Sequence, residues 1–109
     1  VKSLPVIPRA LARLDAEQAI DHYLAEAGRD VAFGFIDALE AAYAQIGANP
    51  SGSTPRWGQE LNLPGLRSRK LKRYPYLVFF MAGEDHVDVW RILHAQRDIP
   101  SWLQNSEED

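Results

Sequence analysis

The chain has 109 residues with a formal charge of −3, and 46% of it is apolar and 25% charged, which is enough material for one domain with its own core. It has no Cys, which excludes disulfides and thiolate chemistry and fits a reducing cytosol. No apolar run approaches the roughly 20 residues of a membrane span, and Val1-Lys2-Ser3-Leu4-Pro5 lacks the apolar core of a signal peptide, so the expected location is the cytoplasm.

Leu4-Pro5-Val6-Ile7-Pro8 is short and apolar, and its prolines confine a strand here to a sheet edge or a strand end. Arg9 to Ala27 reads as a helix, with Pro8 near its start, where a missing N–H costs least. Ala16, Ile20, Tyr23, Leu24 and Ala27 recur three and four apart and form the expected buried stripe. Asp15 is placed to cap a second start, which would put a kink near Leu14. Gly28 stops the helix. Asp30 is the N-cap candidate for a second helix, Val31 to Gly47, with Phe35, Ile36, Leu39, Ala42, Tyr43 and Ile46 on its inner face. Phe33 falls off that stripe, and Gly34 suits a helix interior only if something packs close against it. Gly47-Ala48-Asn49-Pro50 ends this helix, so the pair forms a hairpin. Ser51 to Asn62 reads as loop, anchored by Trp57.

The stretch from Leu61 to His94 organises the rest. Leu63-Pro64-Gly65-Leu66 has the Pro-Gly order of a type II turn. Arg67, Arg69, Lys70, Lys72 and Arg73 follow as a basic run. Tyr74-Pro75-Tyr76 then leads into Leu77-Val78-Phe79-Phe80-Met81, a turn at Ala82-Gly83-Glu84-Asp85, and Val87 to His94, which together read as a β-hairpin. If the basic run is extended, Arg67, Arg69 and Leu71 share one face and Ser68, Lys70 and Lys72 the other, with Leu71 toward the helices and the two lysines on an open face; a bulge would reverse this. On the last strand strict alternation puts Arg91 with Val87, Val89 and Leu93, opposite Trp90, Ile92 and His94. Arg91 in such company needs a partner, either Asp98 or an acid of the first helix. Arg97 to Leu103 reads as a turn and short helix packing Ile99, Trp102 and Leu103 on the sheet. The predicted fold is α+β in the order β-α-α-β-β-β, a helical hairpin on one face of a small antiparallel sheet. Residues 1–103 form the expected single domain and 104–109 a frayed acidic tail.

Charge is divided along the chain. Residues 9–48 hold three Arg against seven acids, and residues 49–103 hold eight basic residues against five acids. The basic part therefore faces an anionic partner, nucleic acid or acidic protein, or else is a solvated surface.

The order of these pieces carries a resemblance: Pro8-Arg9-Ala10 after a strand, two helices, Leu63-Pro64-Gly65-Leu66-Arg67, Tyr74-Pro75-Tyr76 entering an apolar strand, Val89-Trp90-Arg91-Ile92-Leu93-His94, then Arg97-Asp98-Ile99. Over residues 3 to 103 the chain resembles the RelE/ParE superfamily of toxins from type II toxin–antitoxin systems, on the ParE side. The resemblance implies a small cytoplasmic toxin of the plasmid-stabilisation kind, held silent in a hetero-oligomer with a ParD-like antitoxin. ParE-type members act on DNA gyrase, and no direct DNA binding by the toxin alone is implied. RelE-type members cleave mRNA, and a third alternative is a non-toxic member that still binds antitoxin.

Metal-independent RNA cleavage needs a base, cations for the phosphate and an acid. The candidates for that reading are Lys70, Lys72, Arg73, Arg91 and His94, but the terminal Tyr of RelE-type toxins is replaced here by Trp102-Leu103 and an acidic end. His94 also fits a structural hydrogen bond, Arg91 and Arg97 with Asp98 an ion-pair lock, and Trp90 and Trp102 the core. For a binding protein, the candidate contacts with target or antitoxin are Lys70, Lys72, Arg73, Phe33, Phe35, Arg97 and Trp102. No cofactor or metal is implied; His22, His86 and His94 are scattered in the sequence.

Overall fold

A computed structural model describes residues 3–97 and 99–106. Strand β1 (Val6–Pro8) is three residues long and leads into α1 (Ala10–Glu26); α2 spans Arg29–Ala48. A 3-10 turn at Pro50–Gly52 and a short helix α3 (Arg56–Glu60) follow, then β2 (Leu66–Lys70), β3 (Tyr76–Ala82), β4 (Val87–His94) and α4 (Ile99–Ser106). Sheet order is β1-β4-β3-β2. The β2-β3-β4 meander is antiparallel as expected, while β1 lies parallel to β4, with Val6 opposite Val87 and Pro8 opposite Val89, so the whole sheet is mixed. A parallel neighbour requires a crossover, and the helical hairpin supplies it.

The α+β class and the hairpin on one face agree with the sequence reading. Helix α1 runs without a break at Leu14, and its buried side is turned from the predicted stripe. Ala12 and Ala19 are buried, Ala16, Ile20 and Tyr23 are half-buried, and Leu24 and Ala27 are exposed. Small side chains at 12, 16 and 19 let the helix lie close to the sheet. Gly28 precedes α2 with φ of 95°, and Asp30 sits in the first turn, where it complements the helix dipole rather than capping it. Phe35, Leu39, Ala42 and Ile46 are buried as predicted, joined by Ala32. Gly34 has the close neighbour its position requires: a Cβ there would collide with the Tyr74 hydroxyl, which donates to the Val31 carbonyl at 2.8 Å.

The opposite face of the sheet is covered too. There Trp57, Leu61 and Leu63, with Ile99, Trp102 and Leu103, pack on Leu66, Phe79, Trp90 and Leu93. The segment read as loop thus contains α3, and Trp57 anchors it as expected. The type II turn is present: Gly65 has φ of 88° and the Leu66 N–H donates to the Leu63 carbonyl.

Strict alternation on β4 fails at one place. Phe79 faces Arg91 while Phe80 faces Val89, so Trp90 is an extra residue in a bulge. Val89 and Ile92 therefore reach the core under the helices, and Trp90 and Leu93 the core under α3 and α4.

Candidate functional site

The basic run divides. Arg67 reaches back to the carbonyl of Ser53 at 2.7 Å, and Arg69 donates through Nε to the Gln45 side chain on α2 at 2.9 Å. Leu71 is buried under the helices, as parity predicted. The strand ends at Lys70, however, so Lys72 lies in a bend rather than on an open strand face, and Arg73 adopts a left-handed φ of 72°. Lys70, Lys72 and Arg73 are exposed, and among the described residues their side chains have no hydrogen-bond or ion-pair partner.

These three cations rim two adjoining hollows of about 310 and 420 Å³, whose other wall is the α2 ridge of Gly34, Asp37, Ala38, Ala41 and Gln45. β2 is the outer strand of the sheet. The Ser68 N–H and C=O point outward and exchange hydrogen bonds with Thr54. In an antiparallel ladder the outward direction recurs every second residue, so the N–H and C=O of Lys70 also point away from β3. A short open strand edge therefore lies beside the basic rim.

Arg91 is not available to a ligand. Its side chain is 6% exposed and that of its partner Asp15 is 8%, with Nε and Nη2 each donating at 2.7 Å to the carboxylate. The same carboxylate accepts the Ile92 N–H at 3.0 Å, closing a bond that β1 is too short to make. Of the two partners considered for Arg91, the acid on the first helix is the one seen; Asp98 lies outside the described residues. Arg9 pairs similarly with Asp88 at 2.9 Å, 24% and 30% exposed, and its guanidinium lies 4.6 Å from the centre of the Trp90 ring.

His94 sits apart from the basic rim, in an open cleft of about 430 Å³ between α1 and the end of β4 that also includes His22, Tyr76 and Arg97. Its Nδ1 accepts the Gln96 backbone N–H at 3.1 Å, so a neutral ring carries its proton on Nε2 and offers a donor rather than a base. β2 and β4 are separated by β3, roughly 10 Å at the usual strand spacing. Neither the 430 Å³ cleft nor the basic hollows contain both His94 and any of Lys70, Lys72 and Arg73. Arg97 stacks on Trp102, 4.4 Å from the ring centre, and Trp102 packs half-buried on the second core. Burial raises the Tyr76 hydroxyl above its ordinary value, with the nearby Arg97 charge acting against it.

The remaining candidates separate clearly. Phe35 is fully buried against Tyr23, Tyr74 and Tyr76, so it presents no surface to a partner. Phe33 is 54% exposed and can supply the apolar contact expected of the pair. The sequence did not suggest that His22 and His94 share a cleft, because 72 positions separate them and only the α1–β4 packing unites them. Among the described residues no group of three His, Asp or Glu is placed to hold a metal ion, and no helix is long and apolar enough to cross a membrane.

The profile of a protein family described as "ParE toxin of type II toxin-antitoxin system, parDE" matches residues 6–99. A solved structure described as "Chromosomal ParDE TA system from P. aeruginosa" superposes with a TM-score of 0.71 at 20% identity, covering 86% of this chain and 98% of that one, which shows a shared fold. A search among curated proteins finds no match.

Proposed function

The chain belongs to the ParE toxin family of type II toxin–antitoxin systems, and from that premise we propose that it inhibits DNA gyrase by protein–protein binding and is neutralised by a ParD-like antitoxin in a hetero-oligomer. The observation that carries this reading is the division of the cations. Arg9, Arg67, Arg69 and Arg91 are engaged within the fold, while Lys70, Lys72 and Arg73 stand exposed beside the open edge at Lys70. That arrangement suits an acidic protein segment, which can pair its backbone with the edge and its carboxylates with the rim. Phe33 and the α2 ridge extend the contact. The proposal requires no cofactor, no catalytic group and no DNA bound by the toxin itself, and it places the toxin in the cytoplasm beside its target.

Supercoiling of relaxed plasmid by purified gyrase, with toxin added alone and after pre-incubation with antitoxin, tests it. Inhibition relieved by antitoxin is the expected result. Supercoiling unchanged at large molar excess of folded toxin would overturn it. The endoribonuclease reading would then be examined by mRNA cleavage on ribosomes with His94→Ala; the separation of His94 from the free cations speaks against it.

A further inference from the structure

The cleft beside α1 has a feature that neither gyrase nor antitoxin binding at the basic rim uses. β1 pairs with β4 only as far as Val89, because Pro8 and Arg9 turn the chain into α1. Beyond that point the outer edge of β4 has no strand beside it among the described residues. The inward partners can be read from the ladder. Ala95 donates to the Pro75 carbonyl, and the Tyr76 backbone faces β2 by accepting from Leu71, so Leu93 and Ala95 point toward β3. Ile92 and His94 then point outward. The Ile92 N–H is taken by Asp15 and the His94 carbonyl by the Arg97 N–H, but the Ile92 carbonyl and the His94 N–H have no partner among the described residues. One acceptor and one donor, two residues apart on the same edge, thus lie in the wall of the cleft, the acceptor on a residue only 2% exposed.

We infer that this cleft is a docking site for an acidic peptide in extended conformation, which adds to the free end of β4 as one further short strand. Backbone complementarity comes first: a strand laid alongside gives an N–H to Ile92 and accepts from His94. Charge complementarity comes second. Arg97 borders the space with the rings of His22 and His94, and among the described residues its one carboxylate, Asp15, is already engaged by Arg91 and the Ile92 N–H. The His94 ring, with Nδ1 occupied by Gln96, presents Nε2–H as another donor. A phosphate is the poorer occupant, because it has no donor to give the Ile92 carbonyl, whereas a peptide supplies both donors and acceptors. The volume of about 430 Å³ lies within the usual span of small-ligand sites, roughly 300–1,000 Å³.

The test uses the full chain, 15N-labelled, and a free-carboxylate hexapeptide of alternating Glu and Val. The expected result is a downfield shift of the His94 amide and at least about tenfold slower exchange of its proton on peptide addition, a coupling of about 1.4 kcal/mol. The same peptide N-methylated at every backbone amide should bind at least about tenfold more weakly, and Gln18→Trp, which fills the cleft from the exposed side of α1, should weaken the parent peptide as much without moving the thermal midpoint. Equal binding of the methylated peptide, or displacement by pyrophosphate with the His94 amide unmoved, would reduce the site to a simple anion pocket and overturn the proposal. Absence of binding at millimolar peptide would also overturn it. Gyrase inhibition is read independently, so either proposal can fail while the other stands.

Discussion

Arg9, Arg67, Arg69 and Arg91 each find a partner inside the protein, whereas Lys70, Lys72 and Arg73 find none among the described residues. In the sequence, positions 67 to 73 look like one basic cluster; in the fold, its first two members are structural and its last three form a rim. Side-chain chemistry explains part of the division. A guanidinium is a planar fork that satisfies a carboxylate or carbonyls with two bonds at once, while the lysine ammonium is a strongly hydrated point charge that is easily kept at the surface. Backbone explains the rest: Arg67 and Arg69 point across the edge strand toward fixed acceptors, but the chain leaves the strand after Lys70 and turns at Arg73. Charge density along a sequence therefore overstates how much charge is available to a partner.

Breaking the most buried pair should have the largest effect. Asp15→Ala removes the carboxylate that the Arg91 guanidinium and the Ile92 N–H share in a site under 10% exposed, and urea denaturation should show a loss of about 3–5 kcal/mol. If Arg91 behaved like the rim lysines, the loss would be under about 1 kcal/mol. The double substitution Asp15→Leu with Arg91→Met should recover much of the loss, because it removes both charges together.

A neutral, half-buried group on α2 extends the contrast to alkaline pH. Burial pushes the Tyr43 hydroxyl up to about 12 from an ordinary value of 10.0. The folded state thus holds this proton more tightly than the unfolded chain. The associated stability is whole below about pH 10 and is lost as pH rises toward about 12, roughly 2–3 kcal/mol across that window. Denaturation midpoints measured between these values should fall less steeply in Tyr43→Phe; an identical slope would show that Tyr43 titrates normally.

Arg9 belongs to the engaged group but is about one quarter exposed, and solvent screens its pair with Asp88. Arg9→Ala should cost about 1 kcal/mol, including the stacking on Trp90. The smallest change in stability is expected at the rim: Lys70→Glu with Lys72→Glu should alter unfolding free energy by no more than about 0.5 kcal/mol, yet weaken antitoxin binding or growth arrest at least about tenfold. Unchanged affinity together with unchanged growth arrest would remove the rim from the proposed interface.

The meander, the turn at Leu63-Pro64-Gly65-Leu66 and the inner face of α2 were legible because their signals are local: alternation, Pro-Gly chemistry and large side chains at helical spacing. Helix α1 was less so, since its buried positions are alanines, which weigh little beside the exposed Leu14 and Leu24. The second core was half legible: Trp57, Ile99, Trp102 and Leu103 were expected on the sheet, but Leu61 and Leu63 are isolated apolar residues in a segment with no period and make sense only against Phe79 and Leu93. The bulge at Trp90 cannot be seen in a single strand, because it is a property of the pairing. The need of Arg91 for an acid was readable, but choosing Asp15 required knowing that α1 runs along β4.

The fold is closed by pairing β1 and the start of α1 with β4. Val6 lies beside Val87, and the ion pairs Arg9–Asp88 and Asp15–Arg91 span 79 and 76 positions. Closing such long loops is entropically costly and is repaid only when both partners exist. During biosynthesis the first strand and helix therefore emerge well before the residues that complete them. A nascent chain lacking β4 has no register for β1 and leaves Asp15 without its cation, so prematurely terminated fragments should be unfolded and readily cleared by proteases. The domain becomes a folded agent only once β4 has been made.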